Sequence, residues 1–166
     1  MRLRVESMGL SLTGKRATIL LAASAGGHLN QLLQMQPAWA DCADQVYVSS
    51  LEVAREKLAR RGKCYIVGEC NREHPIRALQ VFWRAFRICR QERPAAVLST
   101  GAAPGLACCL FGKLFGARIV WVDSIANTEK LSMSGRLARP FADLVLSQWA
   151  EVADKYPNVE YCGALL

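Results

Sequence analysis

The chain has 166 residues, 52% of them apolar and 21% charged, which suits one globular domain and excludes disorder along the whole length. Its apolar runs are too short to span a bilayer, and residues 1–16 lack the continuous apolar stretch of a signal peptide. The net charge of +7 is concentrated in residues 55–93. Such a basic region predicts an anionic partner: lipid headgroups, a nucleic acid or a phosphorylated substrate.

The seven cysteines follow no CxxC spacing, and most of them lie inside apolar runs. This distribution favours reduced, buried thiols in a cytoplasmic protein over a disulfide framework or a zinc site. We therefore expect neither disulfides nor a bound metal.

Short apolar runs alternate along the chain with stretches of helical periodicity. The predicted strands lie at residues 17–23, 45–48, 64–67, 95–98, 118–122, 144–146 and 159–162. The predicted helices lie at residues 29–39, 51–61, 76–91, 104–115, 131–140 and 149–155. Continuous apolar strands that alternate with helices indicate a sheet buried on both faces, so we expect an α/β fold with a doubly wound, mostly parallel, Rossmann-like sheet.

One domain is expected over residues 17–166, preceded by a disordered amino-terminal extension over residues 1–16. Ligands bind to sheets of this kind at the carboxyl ends of the strands. A site is therefore expected in the loops at that edge, and three of these loops are rich in small or polar residues.

The first loop, Ser24-Ala25-Gly26-Gly27-His28, lies between the first predicted strand and the first helix. Paired glycines allow a tight turn close to a ligand, and the N–H groups at a helix start favour an anion such as a diphosphate. His28 beside that anion would act as a general base or as a hydrogen-bond donor. A tight turn with a capping histidine explains the same residues, so both interpretations stay open. The dinucleotide fingerprint GxGxxG is absent.

The second loop, residues 99–105, follows the fourth predicted strand. Ser99, Thr100 and Gly101 combine hydroxyl groups with a flexible backbone, and Pro104 lies near the first turn of the next helix. The segment predicts a second anion or sugar site, although a plain connection between a strand and a helix fits the same residues.

The third loop, residues 123–130, places Asp123, Ser124 and Glu129 directly after a strand that should be fully buried. The two carboxylates would bind sugar hydroxyls, or Asp123 would cap the next helix. Because three such loops meet at one edge of the predicted sheet, we favour a binding function.

The predicted helix at residues 76–91 has arginines on one arc and large apolar side chains on the other side. Such a helix suits an anionic membrane interface, but a helix that packs on a sheet also has one apolar face. The predicted membrane contacts are Arg77, Phe82, Trp83, Arg84, Phe86 and Arg87.

With these motifs in place, the sequence resembles the oligosaccharide-biosynthesis family that includes the membrane-anchoring subunit of the dolichol-linked UDP-N-acetylglucosamine transferase. It is more similar still to the bacterial capsule and exopolysaccharide branch. The similarity extends over nearly the whole chain, from about residue 17 to residue 163. It is carried, in order, by residues 23–29, 97–102, 122–124, 131–137, 141–143, 147–149 and 161–163.

The resemblance implies the amino-terminal half of a split GT-B glycosyltransferase, related to the lipid I N-acetylglucosaminyltransferase of peptidoglycan synthesis. This half would lie on the cytoplasmic face of the cell membrane and bind a polyprenyl-diphosphate-linked sugar acceptor. A separate donor-binding subunit, the carboxyl-terminal half, would bind the UDP-sugar, and neither a metal nor another cofactor would be needed. His28 is then the predicted catalytic base. The predicted acceptor- and diphosphate-binding residues are Ser24, Gly26, Gly27, Ser99, Thr100, Gly101, Asp123, Ser124 and Glu129.

Two features bear on attachment and assembly. The amino-terminal transmembrane helix of the eukaryotic pattern is missing from this sequence, so the arginine-rich helix is the expected peripheral attachment to the membrane. The sequence ends where the linker of a fused enzyme would begin, as expected of a free-standing subunit, and Leu165 and Leu166 are predicted partner contacts.

Two other classes of protein remain as alternatives. One is a self-sufficient α/β enzyme that uses His28, although the sequence has neither a GxSxG elbow nor a metal cluster. The other is a nucleic-acid-binding module that uses the basic region, although no recognised motif is present.

Overall fold

The computed structural model describes residues 16–41, 43–70 and 75–165. Residues 1–15 of the predicted extension and the predicted partner contact Leu166 lie outside these ranges. The strands are β1 Ala17–Ala22, β2 Ala43–Ser49, β3 Lys63–Ile66, β4 Ala96–Ser99, β5 Arg118–Val122, β6 Leu144–Ser147 and β7 Glu160–Tyr161. The helices are α1 Gly27–Gln34, α2 Val53–Leu58, α3 Pro75–Glu92, α4 Ala102–Leu114, α5 Met133–Ala138 and α6 Ala150–Ala153, with a short 3-10 helix at Gln36–Ala38.

Within the described residues, all seven strands form one parallel sheet in the order β3-β2-β1-β4-β5-β6-β7. The chain proceeds outward from β1 to β3, returns to the centre for β4, and then proceeds to the opposite edge. This arrangement confirms the predicted α/β fold with a doubly wound, parallel sheet. The direction of winding changes between β1 and β4, and a crevice at that switch point is where such sheets bind ligands.

The sheet separates two apolar layers. Leu20 of β1 packs in the layer that contains residues of α3 and α4, whereas its neighbour Leu21 packs in the layer that contains residues of α1 and α2. Both leucines are 0% exposed, which is why the strand reads as a continuous apolar run rather than as an alternating one. Each buried leucine stabilises the fold by about 1.5–3 kcal/mol.

Helix ends are where the structure differs from the sequence prediction. The first helix stops at Gln34 instead of residue 39, and Pro37 lies in the short 3-10 helix that follows. The helix predicted at 131–140 begins at Met133, because the Ser132 hydroxyl accepts the Gly135 N–H at 2.8 Å and caps it. None of the helices that the structure describes combines the length and the apolar character needed to cross a bilayer.

Candidate functional site

The turns that follow β1 and β4 are joined by a reciprocal pair of hydrogen bonds at the switch point. Nδ1 of His28 lies 2.8 Å from the Thr100 carbonyl oxygen, and the Thr100 hydroxyl donates to the His28 carbonyl at 2.7 Å. These residues are 72 positions apart in sequence. The structure therefore brings the first two predicted loops together.

The bond to Thr100 also determines which nitrogen of the His28 ring is free. A carbonyl oxygen can only accept, so Nδ1 must carry the proton, and Nε2 of the neutral ring carries the lone pair. Nε2 has no hydrogen-bond partner within the described part of the chain. It is therefore oriented as a base is, with its second nitrogen fixed by the protein.

The imidazole of His28 lies directly against the turn at Gly101. A Cβ at position 101 would lie 2.6 Å from Cε1 of the ring, and the φ of Gly101 is +136°. Both the space and the backbone conformation therefore require glycine. The next residue, Ala102, has a φ of +65°, an unusual value for a residue with a Cβ, so the backbone is strained beside the ring.

Two helices begin at these turns, α1 after Gly26 and α4 after Gly101. No side chain among the described residues caps either start, so the first N–H groups of both helices retain their capacity to bind an acceptor. Two helix dipoles thus present their positive ends at the same crevice.

A cavity of about 220 Å³ adjoins the two turns. Ser50 of its wall is 3% exposed, and its hydroxyl accepts the Ala25 N–H at 3.0 Å. A second cavity of about 320 Å³ shares Ser50, Glu69 and Arg77 with the first. The first cavity is lined by Ser24, Ser50, Glu69, Cys70, Arg77, Ala102, Ala103 and Pro104.

The other predicted residues of the first two loops have different surroundings. Ser24 lines the first cavity, and Gly26 and Gly27 are exposed at the turn. Ser99 and Thr100 are fully buried: the Ser99 hydroxyl accepts the N–H of residue 101 at 3.2 Å, and Thr100 makes the bond to the His28 backbone. These two hydroxyls therefore fix the turn from within.

Asp123 of the third loop lies beneath the surface, 2% exposed. Its carboxylate accepts the Ser132 N–H at 2.7 Å, the Ser132 hydroxyl at 2.6 Å and the Trp121 indole N–H at 3.1 Å. Both oxygens are thus bonded to internal donors, and Asp123 supports the cap of α5. Ser124 closes a local turn with its own hydroxyl, and the side chain of Glu129 is exposed.

Sequence reasoning missed Gln148, which connects the third loop to the first helix. Its side-chain amide is 2% exposed and donates to Gln31 of α1 at 3.0 Å and to the Asp123 carbonyl at 2.9 Å. Its amide oxygen accepts the Leu165 N–H at 2.8 Å. The available signal was a polar residue directly after the buried strand β6, at the same edge of the sheet as the three loops.

The outer surface of α3 is more apolar than a helix packed on a sheet requires. Val81 and Ala85 are buried against the sheet, but Leu79 is 72% exposed and Trp83 is 59% exposed. The predicted contacts Phe82 and Phe86 are half-buried and form edge-to-face pairs with Phe111 of α4. An apolar surface that no other part of the described chain covers remains on α3.

The three predicted arginines of α3 do not share one environment. Arg77 and Arg84 line the second cavity, and Arg84 donates to the Val67 carbonyl at 3.0 Å. Arg87 lies farther along the helix, beside Trp83. Two of the three guanidinium groups are thus on the cavity side of the helix.

Several solved structures share this fold. The chain is similar to MurG from Acinetobacter baumannii, with a TM-score of 0.72, 14% identity and coverage of 89% of this chain. It is also similar to UDP-N-acetylglucosamine 2-epimerase from Rickettsia bellii, with a TM-score of 0.67, 13% identity and coverage of 90%. The chain spans 45% of each of these two proteins. The class of protein is therefore a Rossmann-like α/β domain with its crevice at the switch point.

The sequence is matched over residues 43–165 by the family described as oligosaccharide biosynthesis protein Alg14 like. The chain belongs to this family. It is 28% identical to the UDP-N-acetylglucosamine transferase subunit ALG14 of Yarrowia lipolytica, over 89% of this chain and 81% of the relative. It is 24% identical to the human subunit of the same name, over 100% of this chain and 91% of the relative.

Membership of the family confirms the coarser part of the predicted resemblance. The names of both relatives support the prediction of a glycosyltransferase subunit. Because these relatives come from a yeast and from human, the bacterial capsule and exopolysaccharide branch stays a prediction.

Proposed function

We propose that this chain is the acceptor-binding, membrane-associated subunit of a two-component glycosyltransferase. It binds a polyprenyl-diphosphate-linked glycan of surface polysaccharide synthesis at the cytoplasmic face of the cell membrane, and a separate subunit supplies the UDP-sugar. The observation that carries the proposal is the pair of joined turns at the switch point, in which the Thr100 carbonyl fixes His28 and leaves Nε2 free as a base.

The arrangement suits transfer to a hydroxyl group. Nε2 of His28 accepts the proton of the acceptor hydroxyl while the hydroxyl oxygen forms a bond to the anomeric carbon of the donor sugar. The bond from that carbon to the diphosphate breaks, and UDP leaves with the electron pair. The uncapped starts of α1 and α4 place positive ends of helix dipoles where negative charge develops.

The need for a second subunit is supported by the names of the relatives, each of which is called a subunit of a UDP-N-acetylglucosamine transferase. The relatives' names make UDP-N-acetylglucosamine the first donor to test.

The transfer reaction can be tested with the chain alone, with a donor-binding subunit alone and with both together, using radiolabelled UDP-N-acetylglucosamine and lipid-extracted acceptors. Only the pair should transfer sugar; turnover by the chain alone would favour the self-sufficient enzyme instead.

Two variants of His28 separate its role as a base from its role in fixing the turn. His28→Ala should lower the transfer rate of the pair at least about a hundredfold, in the range expected for loss of a general base. His28→Asn keeps an N–H donor toward the Thr100 carbonyl without the basic Nε2, and should lose the same activity while retaining more stability. If His28→Asn retained a near wild-type rate, His28 would be a turn residue only. Co-purification with the partner controls for assembly.

Membrane association is supported by the exposed apolar surface of α3 beside a basic region. Replacing Leu79 and Trp83 with Ala should weaken sedimentation with phosphatidylglycerol vesicles about tenfold, because these side chains would no longer leave water on binding. Val53→Ala is the matched control, since Val53 is 59% exposed but lies on α2, on the other face of the sheet. If the Leu79 and Trp83 variant and the Val53→Ala control lost vesicle binding equally, the α3 surface would have another role.

A further inference from the structure

The two cavities beside α3 form one polar groove, which the proposed reaction does not yet use. They share Ser50, Glu69 and Arg77, so the two cavities are adjacent at these residues. The first cavity borders the turns that position His28, and the second continues along α3 to Arg84. A ligand that binds beside the turns at Ser24 and Ala102 can therefore extend toward the start of α3.

The arginines of this groove are available to an anion. Arg84 gives one N–H to the Val67 carbonyl, which fixes its guanidinium at the end of β3, and four donors remain. Within the described ranges, neither Arg77 nor Arg84 is ion-paired, and the carboxylate of Glu69 is the one acidic group that lines the groove. Two guanidinium groups against one carboxylate favour a ligand with a polyvalent anion, such as a diphosphate.

The order of surfaces along the groove indicates which diphosphate. The first cavity carries the hydroxyls of Ser24 and Ser50 and the carboxylate of Glu69, which are groups that bind sugar hydroxyls. Its volume of about 220 Å³ is below the roughly 300 Å³ at which pockets for drug-sized ligands begin, so it suits a single sugar ring. The arginines come next, in the second cavity, whereas the exposed apolar side chains Leu79 and Trp83 lie on another side of the same helix.

We infer that this groove binds the headgroup of a lipid-linked sugar diphosphate, with Arg77 and Arg84 as ligands of the diphosphate and Ser24, Ser50 and Glu69 as ligands of the sugar. The inference rests on the proposed function and specifies it: the sugar and the diphosphate are adjacent in the ligand, as the polar cavity and the two arginines are in the protein. It assigns Arg77 and Arg84 to the acceptor rather than to the membrane surface.

The test is calorimetric titration of the full chain, in buffer without vesicles, with a short-chain prenyl diphosphate that carries one N-acetylglucosamine. Arg77→Gln and Arg84→Gln should each raise Kd about tenfold or more, because each removes a charge-assisted contact. Arg84→Lys removes the guanidinium that bonds to Val67 but keeps the positive charge, so it separates the effect of that lost bond from the effect of the lost charge. The matched control is Arg60→Gln, which removes an exposed charge just before the amino-terminal end of β3, whereas the groove lies after its carboxyl end, and this variant should change Kd less than twofold.

Four results would overturn the inference. An unchanged Kd in both arginine variants, with tight binding by the wild type, would reject it and leave the proposed function intact, whereas absence of binding by the wild type would reject both. If the arginine variants bound UDP more weakly than the wild type but bound the prenyl ligand equally well, the arginines would belong to the donor site. If the arginine variants sedimented less with phosphatidylglycerol vesicles while their Kd for the prenyl ligand was unchanged, the arginines would bind lipid headgroups instead.

The sugar end of the groove has its own test. Glu69→Gln should weaken binding of the glycosylated ligand but not of the same prenyl diphosphate without sugar, since the carboxylate would contact only the sugar. Equal weakening of both ligands would remove Glu69 from the sugar site.

Discussion

Replacing Gly101 with Ala tests how tightly the two turns at the switch point fit together. The new Cβ would lie 2.6 Å from Cε1 and 2.8 Å from Nδ1 of His28, so the imidazole must move. The backbone at φ +136° and ψ −173° is a conformation that only glycine adopts readily, and an alanine there costs about 1–3 kcal/mol. Loss of the bond from Nδ1 to Thr100 adds about 0.5–1.5 kcal/mol, so we expect the free energy of unfolding to fall by about 2–4 kcal/mol.

The same substitution should affect the reaction more than the fold. A displacement of the catalytic group by about 1 Å can reduce a rate about a hundredfold. Urea unfolding of the chain and the transfer rate of the reconstituted pair measure the two effects separately. Gly116→Ala is the matched control, because its φ is +88° and nothing lies within 4 Å of the new Cβ. Similar losses of stability in both variants, with a normal rate for Gly101→Ala, would refute the close packing of His28 on this turn.

Two further predictions concern two aspartates, Asp123 and Asp143. Asp123→Asn replaces one of the carboxylate oxygens that accept from Ser132 with an amide N–H, which cannot accept. The free energy of unfolding in urea should therefore fall by about 2–4 kcal/mol. An unchanged unfolding midpoint would contradict the internal role of this carboxylate. Burial raises the pKa of Asp143, but hydrogen bonds led by that from Lys113 outweigh it and lower the pKa to about 2. Because this pKa lies below the value in the unfolded chain, the contribution of Asp143 is present above about pH 4 and is lost as pH falls toward 2. Asp143→Asn should therefore be less stable than wild type at pH 4, and this difference in stability should shrink as the pH falls to 2. Thermal melting of both proteins across this pH range measures the difference.

The parts of the fold that depend on burial could be predicted from the sequence. Continuous apolar strands indicated a sheet covered on both faces, and α3 extends only one residue beyond each predicted end, at Pro75 and Glu92. The meeting of the first two turns also followed from the pattern, because adjacent parallel strands deliver their loops to the same edge. Periodicity and the general rule for switch points were sufficient for these features.

What the sequence could not supply is the direction in which a polar side chain points. Asp123 follows a buried strand just as Ser24 does, yet its oxygens bond internally to Ser132 and Trp121, and this depends on where α5 begins. A helical wheel likewise places the arginines of α3 on one arc, but only the position of β3 beside the helix turns Arg84 toward the Val67 carbonyl. Tertiary neighbours, not local pattern, decide these roles.

The adjacency of β1 and β4 has a consequence for how the protein acquires its function. The two turns of the site are 72 residues apart, and closing a loop of that length costs about 4 kcal/mol of chain entropy before any contact forms. Nascent chains that have not yet released β4 lack the central partner of β1, and with it the residue that orients the imidazole. Such long-range pairing slows folding. Because the same pairing of β1 with β4 brings Thr100 to His28, the binding site and the central sheet are completed in one step.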